Sequence, residues 1–66
     1  MKNYSVIIGN HERHCFSTQS EAQSKANDYV HFDVKVAYWP DRNAFPTIVG
    51  DNRAVRVQHA LDNNLL

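Results

Sequence analysis

The sequence predicts a small α+β domain in the order β-β-α-β-β-β, with one helix packed on one face of a mostly antiparallel sheet. Three observations carry this. Short runs rich in β-branched and aromatic residues ("YSVII", "DVKVAYW", "AVRV") alternate apolar and polar side chains, the period of a half-buried strand. A capping signal, "TQSE", stands ahead of a segment whose apolar residues recur at helical spacing. Turn-forming residues separate the runs at Gly9-Asn10, Pro40 to Asn43 and Gly50 to Asn52.

The first strand is "NYSVII", with Tyr4, Val6 and Ile8 on one face. "RHCFS" returns as the second. A five-residue loop from Gly9 to Arg13 sets Ile8 opposite His14 and Val6 opposite Phe16, gathering Tyr4, Val6, Ile8 and Phe16 on one face. Thr18 then caps a helix over about residues 19–30, with Glu21 completing a capping box. Its apolar stripe is Ala22, Ala26, Tyr29 and Val30, and the small alanines let it lie close to a sheet. "HFDVKVAYW" is the third strand: Phe32, Val34, Val36 and Tyr38 face the core, while His31, Asp33, Lys35, Ala37 and Trp39 face out. "AFPTIV" is the fourth, and Pro46 within it assigns it to a sheet edge or a bulge. "RAVRVQH" is the fifth, with Val55 and Val57 inward. Residues 59–66, ending in "ALDNNLL", form a tail that folds back as a half-turn of helix, docks on a partner or is disordered.

One domain spans residues 1–66, and a chain of this length buries only about 60% of the surface its unfolded form exposes. Extra stability then comes from a metal, a second subunit or good packing, because Cys15 stands alone and forms no intrachain disulfide. A lone thiol fits a reducing, cytoplasmic setting. Seven basic and seven acidic side chains cancel, which argues against a generic phosphate binder. No segment approaches the ~20 apolar residues of a membrane span.

"GNHERHCF" gathers His11, His14 and Cys15 and invites a zinc reading, with His31 or His59 as distant partners. Zinc sites commonly use two close ligand pairs, and no second pair exists. Neighbouring His14 and Cys15 on a strand also point to opposite faces. The stretch therefore reads as a turn and a return strand, with no metal and no cofactor expected. A Cys15–His dyad lacks a third orienting group, and the seven carboxylates are scattered over separate elements, so no catalytic residue is assigned.

A single helix leaves one sheet face uncovered, and function is expected there. Lys35, Trp39, Asp41 and Arg42 are the candidate partner-binding residues, because Trp, Tyr and Arg dominate binding hot spots. Lys35, Arg42, Arg53 and Arg56 form a candidate basic stripe for single-stranded nucleic acid, balanced by Asp33, Asp41 and Asp51. The reading is a non-enzymatic protein-binding module, with a small nucleic-acid-binding domain as the alternative. Homodimerisation is compatible with both.

The layout of strand "YSVII", strand "RHCF", capped helix "TQSEAQSKANDYV" and strand "HFDVKVAYW" resembles very small phage-encoded inhibitors of host machinery. These include anti-CRISPR proteins and phage inhibitors of bacterial RNA polymerase. The resemblance covers about the first 40 residues and implies a protein that blocks a host protein or complex. The neutral charge departs from the strongly acidic, DNA-mimicking members, and no functional residue is carried over.

Overall fold

A computed structural model of the protein describes residues 2–10, 12–41 and 43–64. Strands β1 (Tyr4–Ile8) and β2 (Glu12–Phe16) lead into helix α1 (Gln19–Ala26), followed by β3 (Val34–Tyr38), β4 (Thr47–Asp51) and helix α2 (Arg53–Asp62). The four strands form one antiparallel sheet in the order β2-β1-β3-β4. The α+β class and the single helix packed on the sheet match the sequence expectation.

The β1–β2 hairpin turns more tightly than expected. Gly9 takes a φ of +59°, a conformation that costs glycine little. β2 begins at Glu12, so Ile8 pairs with Glu12, Val6 with His14 and Tyr4 with Phe16. The Ile8–His14 register over a Gly9–Arg13 loop is thereby corrected by two positions. An even shift preserves parity, so Tyr4, Val6, Ile8 and Phe16 still share one face.

Helix α1 starts where its sequence says. Thr18 is the N-cap, its Oγ1 accepting from the Glu21 N–H at 3.1 Å and donating to Glu21 Oε1 at 3.0 Å. Thr18→Ala is expected to cost about 1 kcal/mol, read as a lower urea midpoint at unchanged slope. The helix ends at Ala26, not at residue 30. The Asp28 and Tyr29 amides bond back to the Lys25 and Ala26 carbonyls, a tightening that closes the last turn. Buried Ala22 and Ala26 bring the helix onto Val6, Val34 and Val36, with Tyr4, Ile8, Phe16, Tyr29 and Val49 packed around them. The core is thin: among the described residues, the fully buried hydrophobics are three valines and three alanines.

β3 begins at Val34, so His31, Phe32 and Asp33 form a bend before the sheet. His31 and Asp33 therefore do not lie on the strand's outer face, and Phe32, expected in the core, is 57% exposed. The cause is Asn52, which is fully buried. Its Oδ1 accepts from the Val34 N–H at 3.0 Å, and its Nδ2 donates to the Phe32 and Tyr29 carbonyls at 2.7 Å each. The bend gives its hydrogen bonds to this side chain instead of to a neighbouring strand.

β4 is an edge strand, as the proline implied, with Pro46 standing just before it. Val36 pairs with Gly50 and Ala37 with Ile48, leaving Val49 as a bulge. A Cβ on Gly50 would come 2.5 Å from Gln23 Oε1, so glycine is what lets Gln23 lie across the strand. Gln23 Nε2 donates to the Asp51 carbonyl at 2.8 Å, and Gln19 Nε2 reaches the Val49 carbonyl at 3.4 Å. Two carbonyls of this edge are thus taken up by side chains of α1.

The expected fifth strand is α2 instead. Val55 and Val57 alternate, but Ala54, Val57 and Leu61 follow helical spacing, and Ala, Arg, Gln and Leu favour helix. Asp51 Oδ1 accepts from the Arg53 N–H at 3.0 Å, satisfying a first-turn donor. His59 to Asp62 belong to this helix and not to a tail; it stops at Asn63, and Asn64 follows in the left-handed region at φ 54°. Leu65 and Leu66 lie outside the described residues.

Candidate functional site

The face of the sheet away from α1 is built by the alternate residues of each strand. One cross-strand row runs Ile48–Ala37–Ser5–Cys15, and the next runs Asp51–Lys35–Ile7. Parity places Trp39 on the same face, because it continues the β1–β3 ladder one pair beyond Tyr38. Its N–H donates to the Asn3 carbonyl at 2.7 Å, and Asn3 Nδ2 donates to the Trp39 carbonyl at 2.8 Å. The indole then turns back over the sheet, its Nε1–H donating to Ser5 Oγ at 2.7 Å.

This placement explains why Ser5 and Ala37 are buried on a face no helix covers. Trp39 is half-buried and acts as the cover. It does not shelter Phe45, which stands 94% exposed in the same β3–β4 connection. Ile48, beside Ala37, is 54% exposed. The open face thus has an apolar end of Trp39 and Ile48 and a charged end around Lys35, while Phe45 is exposed in the connection that leads into β4.

At the charged end, Asp33 Oδ1 lies 3.3 Å from Lys35 Nζ and 3.5 Å from Arg56 Nη2. Arg56 Nε also donates to Asn52 Oδ1 at 3.0 Å. The structure therefore brings two of the expected basic residues together, but around a shared carboxylate. Arg53 is exposed on α2 and flanks no strand. Arg42 lies outside the described residues. Asp41 holds the connection by accepting from the Asn43 N–H at 2.7 Å, an Asx turn that positions the loop carrying Phe45.

Cys15 is exposed on the open face of edge strand β2, while its neighbour His14 points to the other side. His11 lies outside the described residues. Among the described residues, no group of three or more His, Cys, Asp or Glu side chains is placed to hold a metal ion. His31 and His59 do meet, edge to face with ring centroids 5.1 Å apart, and His59 Nδ1 lies 3.3 Å from the Asn63 amide nitrogen. A shallow groove along α1 is lined by Gln19, Ser20, Gln23, Ser24 and Asn27, with no nucleophile–base pair in it. No described helix is long and apolar enough to cross a membrane.

Sequence reasoning located Lys35, Ala37 and Trp39 on this face but missed Ile48 and Ser5 there and Phe45 in the adjoining connection. Pro46 drew attention to the strand's position in the sheet, and the apolar residues on either side of it were absorbed into a strand. No family model, curated protein or solved structure matches the chain.

Proposed function

We propose that the protein is a non-enzymatic protein-binding module acting in the cytoplasm, and that it works by covering a surface of its partner. The observation that carries this is the exposure of Ile48 at the Trp39 end of the open sheet face, with Phe45 exposed in the adjoining β3–β4 connection. Large apolar side chains beside a half-buried Trp, bordered by Lys35 and its ion pairs, match the make-up of a binding hot spot: anchors at the centre and charge at the rim. Occlusion of a host protein or complex, in the manner of the small phage inhibitors, is the mode of action this reading implies. The nucleic-acid alternative has less support, because Lys35 and Arg56 both direct their charge at Asp33.

The test compares the wild-type chain with a Phe45→Asp/Ile48→Asp variant in affinity capture from the native host, followed by direct binding to whatever is captured. Both side chains point to solvent, so the melting temperature should hold within a few degrees while affinity falls by roughly 30-fold or more. Equal capture by a folded variant overturns the proposal. Binding to single-stranded oligonucleotides at low salt, lost on raising salt, would favour the alternative instead.

A further inference from the structure

His31 and His59 stand far apart in the sequence, and the fold brings them together at the end of α2, edge to face with ring centroids 5.1 Å apart. His31 is exposed in the bend before β3, and His59 is half-buried in the last turn of the helix. Sequence spacing offered them only as distant partners for the histidines and cysteine near β2. The fold pairs them with each other instead. The helix they tie down needs support: it has no buried residue, and ten residues is short of the roughly 12–15 that an isolated helix needs to be stable in water. Asn52 holds its start and the Arg56–Asp33 pair its middle, while the two imidazoles meet at its last turn.

The separation of the rings fits one shared ion. Two imidazoles bound to a tetrahedral zinc at about 2.0–2.1 Å, each ring centre roughly 1.1 Å further out, have centroids about 5 Å apart. The surroundings suit a cation, because the last carbonyls of α2 turn the negative end of the helix dipole towards His59. Asn63 Nδ2 lies 3.3 Å from His59 Nδ1, so Nδ1 faces the carboxamide and Nε2 is the nitrogen left for a metal. With zinc on Nε2, the ring proton sits on Nδ1. Rotation of the Asn63 carboxamide then lets its Oδ1 accept from Nδ1–H, the outer hydrogen bond that orients a ligating histidine. That rotation gives up the Asn63 Nδ2 bond to the His59 carbonyl, which still accepts from the Asn63 N–H at 3.1 Å.

We propose that His31 and His59 form a two-histidine site for a divalent transition-metal ion, zinc by its geometry, which clips the end of α2 to the bend before β3. Imidazole nitrogen is a ligand for zinc, copper and nickel, and magnesium and calcium prefer oxygen. Among the described residues, no third His, Cys, Asp or Glu side chain joins the pair, so water completes the coordination and the ion is exchangeable. Such a clip supplies the kind of staple that a small domain with a thin core draws stability from. It leaves the open sheet face free and is independent of the partner-binding proposal.

The test is a zinc titration of the chelator-stripped chain by isothermal titration calorimetry, with magnesium as the control and the imidazole nitrogen shifts followed by NMR. Zinc should bind and move the ring nitrogens of His31 and His59 together, and magnesium should do neither. His31→Gln and His59→Gln should each weaken zinc binding by about tenfold or more, because each breaks a chelate. His31 is exposed, so His31→Gln keeps the fold and reads the site even where His59→Gln loosens α2. His14→Gln/Cys15→Ser should leave the affinity unchanged. Absence of binding at about 1 mM zinc overturns the proposal. So does a smaller loss in His31→Gln, or a loss in His14→Gln/Cys15→Ser as large as the one in His31→Gln.

Discussion

Asn52→Ala is expected to lower stability by about 3 kcal/mol or more, the largest loss of any single polar substitution in this chain. The side chain is fully buried and uses its whole hydrogen-bonding capacity. Two donated bonds go to the carbonyls of Tyr29 and Phe32, and two are accepted, from the Val34 amide and the Arg56 guanidinium. Truncation strands the buried Val34 amide and two carbonyls, and each stranded group costs about 1–3 kcal/mol, less where water reaches it. At roughly 0.05–0.15 kcal/mol per residue, a chain of 66 residues has only about 3–10 kcal/mol in total. Asn52→Ala should therefore leave a substantial unfolded fraction at 25 °C, measured by urea titration of the far-ultraviolet circular dichroism signal. Asn52→Asp keeps the shape and the acceptor but faces two carbonyl oxygens with a third oxygen. A loss of less than 1 kcal/mol in both variants would sink the view that this residue latches the bend before β3 and the start of α2 to the sheet.

That latch also marks where sequence reasoning ran out. Period-two alternation found β1 and β3, the Gly9-Asn10 turn implied β2, and the Thr18–Glu21 signal found the start of α1, because each rests on residues close in the chain. Parity made the faces robust as well: the hairpin register moved by two positions, yet Tyr4, Val6, Ile8 and Phe16 stayed together. The errors lie where a distant residue decides. Phe32 extends an alternating run, and nothing local shows that Asn52, twenty positions on, takes its carbonyl. The stretch from Arg53 to His59 offers two alternating valines to a strand and a three–four spacing to a helix. Its helix-forming neighbours and the Asp51–Asn52 start tip the balance. The binding face was legible in outline, since one helix cannot cover two sides of a sheet. What the sequence lacked was the direction of the indole, which depends on a hydroxyl 34 positions away.

Trp39→Ala is expected to cost about 2–3 kcal/mol, below the ~3–5 kcal/mol of a fully buried aromatic because the ring is half-exposed. The loss has two parts. Removing the ring uncovers Ala37 and Ser5, both buried beneath it although no helix packs on that face. Removing the N–H also breaks its 2.7 Å bond to Ser5 Oγ. A double-mutant cycle separates them. Trp39→Phe keeps an aromatic cover without the donor, Ser5→Ala removes the acceptor, and the coupling between the two should be about 0.5–1.5 kcal/mol. Additive effects would mean that the bond contributes nothing and the cover everything. The consequence for function is direct. A residue that holds one face of the sheet closed cannot serve as a clean probe of binding, since its loss disturbs the surface that does the binding. Phe45 and Ile48 carry no such structural duty. If Trp39→Phe keeps partner affinity while Phe45→Asp/Ile48→Asp loses it, the tryptophan is the floor of the binding surface and the two exposed apolar side chains are its contacts.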